Sequence, residues 1–167
     1  MPVSVLDEVL IANDSYAIAF DKGELAMPPA RRFAVLTCMD ARIDPARALG
    51  LEEGDAHVIR NAGGLASDDA IRSLVISHHL LGTREVFVIG HSDCGMLTFS
   101  NDDLRGTLHE KQGVDASHLD FQPFANCPQR VVASARRISE SGLLPDDYRV
   151  HAFLYHVESG RLERLAV

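Results

Sequence analysis

The sequence holds no tryptophan, only three cysteines and no apolar run approaching the roughly 20 residues of a membrane span. That last absence argues against a membrane protein. An odd number of cysteines without scaffold spacing excludes a disulfide framework and favours a reducing compartment in which thiolates stay available. There is no Cys-x-x-Cys, so a thioredoxin-type redox site is excluded, and the glycines near Asn61 do not form the dinucleotide fingerprint. Basic residues are also scarce, 16 against 24 acidic ones, and a formal charge of -8 argues against general affinity for nucleic acid or anionic membranes. No basic leader precedes Leu10, where Asp7 and Glu8 stand instead, so a cytoplasmic location is expected. No internal repeat or low-complexity segment is present.

What is there suits one compact domain, 1–167, with 46% apolar residues in 167 to supply its core. Val3 to Phe20 carries apolar residues at helical spacing and predicts a helix, stopped by Gly23 and Pro28-Pro29, so that 1–30 forms an N-terminal helical arm suited to packing on a neighbouring subunit. Phe33–Thr37, His57–Arg60, Glu85–Gly90 and Tyr148–Val157 read as strands, and a short terminal strand ends near Leu165. Between them, Pro45–Leu49, Asp68–Leu81, Asp102–Gln112 and Pro128–Ser141 read as helices, and Gly113–Phe124 as a mobile loop. The alternation predicts an α/β fold: a mostly parallel central sheet of four strands plus a short terminal strand, flanked by helices. Ligands of such sheets bind beyond the carboxyl ends of the strands.

Two motifs occupy such ends. Cys38-Met39-Asp40-Ala41-Arg42 follows the first strand and His91-Ser92-Asp93-Cys94-Gly95 the third. Cys38, His91 and Cys94 are three donors of the kind zinc prefers, with an acid and a base beside the first. A structural zinc is normally closed by four Cys or His ligands, and only three converge here, which points to a catalytic site with an open position. A phosphatase loop is excluded because Asp44 and Ser100 stand where its arginine belongs. Cys127 reads as a buried structural residue, and His57, His78, His79, His109, His118, His151 and His156 lack comparable partners.

In this arrangement the chain resembles the β-class carbonic anhydrases, whose Cys-x-Asp-x-Arg and His-x-x-Cys motifs both stand here, with Val58-Ile59-Arg60-Asn61-Ala62-Gly63 resembling the family's strand and glycine turn. The likeness covers about Arg32 to Met96, and the length and Met27-Pro28-Pro29 resemble the short bacterial form. It implies Zn2+ held by Cys38, His91 and Cys94, with water or, in a closed form, the Asp40 carboxylate in the fourth position. It further implies that Asp40 and Arg42 are catalytic, that the backbone of Gly63 and Gly64 approaches a substrate pocket, and that zinc-bound hydroxide attacks carbon dioxide to give bicarbonate. A homodimer, possibly a homotetramer, is also implied.

Two features depart from the pattern. No glutamine lies between Glu24 and Arg31 to contact substrate, and without tryptophan the bicarbonate-binding regulatory pocket of some relatives has no basis. Because fold and ligands do not fix the substrate, hydrolysis of carbonyl sulfide or carbon disulfide remains the enzymatic alternative. A non-catalytic zinc-binding sensor is the alternative of another class, though it has no use for Asp40 and Arg42. No proton-shuttle residue stands out.

Overall fold

Six consecutive residues, Phe33–Cys38, are buried in strand β1, which runs through the middle of the molecule. A computed structural model describes residues 3–167, and positions 1 and 2 of the expected arm lie outside it. In chain order the elements are α1 (Val5–Ile18), β1, α2 (Pro45–Leu49), β2 (Ala56–Asn61), α3 (Asp68–His79), β3 (Glu85–His91), α4 (Asn101–Gln112), α5 (Cys127–Ser139), β4 (Arg149–His156) and β5 (Arg161–Leu165). The five strands form one sheet in the order β2-β1-β3-β4-β5. All neighbours are parallel except β4 and β5, which pair antiparallel through the turn at Ser159-Gly160. This is the expected α/β sheet, with its four parallel strands and one short terminal strand.

The order places the site. From β1 the chain crosses to β2 on one side and then returns to β3 on the other, so strand order reverses between β1 and β3. Helices leaving in opposite directions open a crevice at such a switch point, beyond the carboxyl ends of the strands. Cys38 ends β1 opposite Asn61, and His91 ends β3 opposite Tyr155. Both motifs therefore leave the sheet at that crevice.

One face of the sheet is closed by α3 and α5. Ala34, Leu36, Val86, Val88, Ala152 and Leu154 meet Ala70, Ile71 and Leu74 of α3 and Val131, Ala135 and Ile138 of α5. Ser67 caps α3 and Asn126 caps α5, each accepting a backbone N–H of the first turn. Ser77 of α3 is buried although polar, because His57 Nδ1 and Thr83 Oγ1 each lie 2.8 Å from its hydroxyl. The opposite face carries Phe33, Val35 and Ile89, with Phe87, Phe153 and Tyr155 half-covered beside them.

The arm behaves differently. Helix α1 is well begun, with a reciprocal Ser4–Asp7 capping box, yet none of its residues is buried. Its apolar side chains, Ile18 at 89% exposure among them, lie open to solvent. The Gly113–Phe124 stretch has no regular structure, as expected, but is strapped down. Asn101 Nδ2 donates to Asp120, the Phe121 N–H donates to Asn101, and Arg105 holds the Leu119 carbonyl. No helix of the described residues is long and apolar enough to cross a membrane.

Candidate metal centre

Cys38, His91 and Cys94 come from two strand ends, 53 positions apart at the first two, and the fold brings their donor atoms within 4.8 Å of one another. All three are buried, His91 completely. Around them Ile43 and Met96, with Ala62, Phe99, Phe124 and Tyr155, form a largely apolar shell. Such a shell keeps the local dielectric low and strengthens every charge interaction inside it.

Each donor is held by its own loop. The His91 Nδ1 lies 2.8 Å from the Ser92 carbonyl, which can only accept, so Nδ1 carries the proton and Nε2 presents a lone pair. That Nε2 is buried and has no hydrogen-bond partner among the described residues. An orphaned buried acceptor is costly, and an imidazole oriented through its other nitrogen is the arrangement metal ligands adopt. The thiols are equally poised. A hydrogen bond from Cys94, aided by backbone N–H groups of Asp40 and Gly63, outweighs burial and pushes the Cys38 thiol down, while the shared proton pushes Cys94 up. The donor set thus fits a thiophilic divalent ion such as zinc.

The glycines explain how backbone comes so close. Gly63 (φ 83°) points its N–H at Cys38 Sγ, 3.4 Å away, and a side chain there would meet Phe124 at 3.0 Å. Gly64 (φ 63°) wedges into the β1–β3 seam, where a Cβ would lie 2.9 Å from the Cys38 nitrogen. Positive φ and this lack of room both require glycine.

Asp40 and Arg42 meet in a two-pronged pair, Nε to Oδ1 at 3.0 Å and Nη2 to Oδ2 at 2.8 Å. The Arg42 hydrogen bonds hold the Asp40 carboxyl well below the usual carboxylate range. Its Oδ2 also lies 3.8 Å from His91 Nε2, so the carboxylate borders the donor cluster. Cys127 is a buried free thiol that packs against Gly90, and burial pushes it up, as suits an inert structural residue.

The contacts of several residues around the site carry no signal in sequence. Arg60 on β2 donates to the carbonyls of Cys38 (2.9 Å) and Asp40 (2.7 Å), fixing the first loop from beneath. The Ser92 hydroxyl accepts from the Val157 N–H at 2.9 Å and donates to Glu158 at 2.7 Å, tying the second loop to the β4–β5 turn. Asp93 joins the loops by accepting from Arg42. Arg60 and Asp93 stand inside the quoted motifs, yet only the folded registers show what they touch.

The family model described as Carbonic anhydrase matches residues 33–126, more than half of the chain. Beta-carbonic anhydrase 1 of Mycobacterium tuberculosis is 41% identical over 163 residues, spanning 98% of this chain and 99% of its own. Carbon disulfide hydrolase of Saccharolobus solfataricus is 32% identical over 183 residues, spanning 95% and 88%. The crystal structure of carbonic anhydrase from Streptococcus mutans superposes with a TM-score of 0.94 at 40% identity, covering 99% of this chain and all of that one. With full-length relatives at this identity, on the same sheet and with both motifs in place, the chain belongs to the β-carbonic anhydrase family.

Proposed function

We propose that this protein catalyses the reversible hydration of carbon dioxide to bicarbonate and a proton, with zinc held by Cys38, His91 and Cys94. The observation that carries this reading is the buried, partnerless His91 Nε2 facing two thiols, with a paired carboxylate at the cluster's edge. When bound, zinc supplies the Lewis acidity that makes water a nucleophile near neutral pH, an effect that two thiolate donors temper. Asp40, kept ionised by Arg42, acts as the acceptor that orients the attacking water toward the carbon. Arg42 keeps that acceptor in one rotamer, and the apolar shell of Ile43, Met96 and Phe124 suits a small uncharged substrate while excluding bulk water. The Gly63 and Gly64 backbone forms the pocket wall beside Cys38.

The buried free thiols fit a reducing, cytoplasmic setting. The exposed apolar face of α1 supports a homodimer in which the arm of one copy covers the groove between α3 and α5 of the other. That groove is lined by Ile71, Val75, Ile76 and Val132 and edged by Arg72 and Arg136. α1 carries the acids Asp7, Glu8 and Asp14, opposite in charge to those arginines. Sedimentation at micromolar concentration is expected to give a dimer.

Metal analysis of the purified protein coupled to stopped-flow carbon dioxide hydration tests the activity, and about one zinc per chain with rapid hydration is expected. The second reading, hydrolysis of carbon disulfide, is favoured by the 32% identical hydrolase. Hydrogen sulfide release from carbon disulfide by a protein that fails to hydrate carbon dioxide would put that reading first.

A further inference from the structure

Half of the Arg42 guanidinium is unexplained by Asp40. Arginine has five N–H donors in a rigid fork. Two face the Asp40 carboxylate, and two more reach the other loop: Nη1 donates to Asp93 Oδ2 at 2.7 Å and Nη2 to the Asp93 carbonyl at 2.8 Å. One residue thus offers the guanidinium both a backbone and a side-chain acceptor.

Asp93 does so from an uncommon backbone conformation. Its φ of 51° lies in the left-handed region, shared among the described non-glycine residues only by Arg32 and Gln122. Glycine would fit there without strain, and asparagine tolerates it at least as well as aspartate. A carboxylate at such a place calls for a reason beyond the turn. The support is firm, because Ser92 beside it is fixed to Val157 and Glu158. An exposed ion pair between two free side chains contributes little, but here backbone geometry presents both acceptors.

Resting on the functional reading above, we infer that Asp93 is a positioning residue: it grips the far edge of Arg42 so that the near edge meets Asp40 in one orientation. It touches neither substrate nor donor cluster and acts through Arg42.

Three variants separate this from a turn-forming role: Asp93→Gly, Asp93→Ala and Asp93→Asn. Zinc content is expected to stay at the wild-type level in all three. In Asp93→Gly and Asp93→Ala, kcat falls about tenfold while KM stays within about twofold, and Asp93→Asn, which keeps one acceptor oxygen, recovers to within about threefold of wild type. The side-chain 15Nε–H signal of Arg42, read by NMR without any turnover, is expected to be sharp and slowly exchanging in the wild type and in Asp93→Asn, and broadened in Asp93→Gly. Wild-type kcat in Asp93→Gly, or an unchanged Arg42 signal there, overturns the inference. Loss of zinc in step with loss of activity also overturns it, since Asp93 would then hold the ligand loop rather than the pair. A wild-type protein inactive on carbon dioxide and carbon disulfide sinks the functional reading alone, because the Arg42 signal still decides the role of Asp93.

Discussion

β1 and α1 are both dominated by apolar residues, yet every residue of one is buried and none of the other. The difference lies in what surrounds them. β1 has strand neighbours on both edges and a helix layer across one face, so its Leu36 and Val35 are fully removed from water. α1 finds no such surface among the described residues of its own chain. Apolar content alone sets an element's need for a partner, and topology decides whether the chain supplies it. The metal centre hangs from the first kind of element, and the proposed dimer rests on the second.

The sharpest way to break the comparison is at the end of β1. Cys38→Ser is expected to release zinc and lower hydration by at least about a thousandfold, because a donor from a fixed strand end cannot be replaced from elsewhere. Asp40→Ala, two residues on, is expected to keep zinc near one per chain while kcat drops about a hundredfold or more. Zinc content by mass spectrometry and stopped-flow rates on the same preparations check both. An active Asp40→Ala enzyme would remove the proposed role of its carboxylate.

A pair of leucines sharpens it next. Leu36→Ala removes a fully buried side chain and leaves a cavity, which costs about 2–5 kcal/mol and lowers Tm by roughly 4–20 °C for a chain of this size. Leu10→Ala on α1, where the side chain is 53% exposed, is expected to change the stability of the separated chain by no more than about 0.5 kcal/mol. Its effect belongs to association, as a weaker dimer and a Tm that depends more steeply on protein concentration. Equal losses for both variants in dilute solution would mean that α1 packs on its own chain after all.

The same contrast explains what could be read from sequence. The run at Phe33–Thr37 is too short for a helix and too apolar for an exposed strand, so β1 was legible, and with it the positions of Cys38 and His91. Boundaries slipped where capping decided them: α5 begins at Cys127 because Asn126 caps it, and ends at Ser139 rather than Ser141. The spacing in α1 identified a helix but not what it packs on. Ser77 illustrates the other limit, since its burial depends on His57 and Thr83, which only the β2 and β3 registers bring near. Arg60 and Asp93 escaped for the same reason. A sequence motif marks the donors, whereas the side chains that aim them come from registers and turns that have no local signature.

The smallest effect concerns two histidines in opposite surroundings. His156 lies at the surface between Glu163 (2.9 Å) and Glu158 (3.3 Å), and the Glu163 hydrogen bond raises it above its ordinary value of 6.5. The folded state therefore holds that proton more tightly than the unfolded chain does. Its contribution is complete below pH 6.5 and is lost as pH rises through the raised value. His57 is the reverse: burial beside Ser77 lowers it, so its contribution is present above pH 6.5 and is lost as pH falls through the lowered value. In chemical denaturation between pH 5 and 8, about the range over which histidine titrates, His156→Gln is expected to flatten the decline on the alkaline side, and His57→Gln the decline on the acid side. Each difference from wild type isolates one group, because the remaining titrations cancel in the subtraction. If His156→Gln instead changes only the acid limb, the Glu163 pair does not govern that proton.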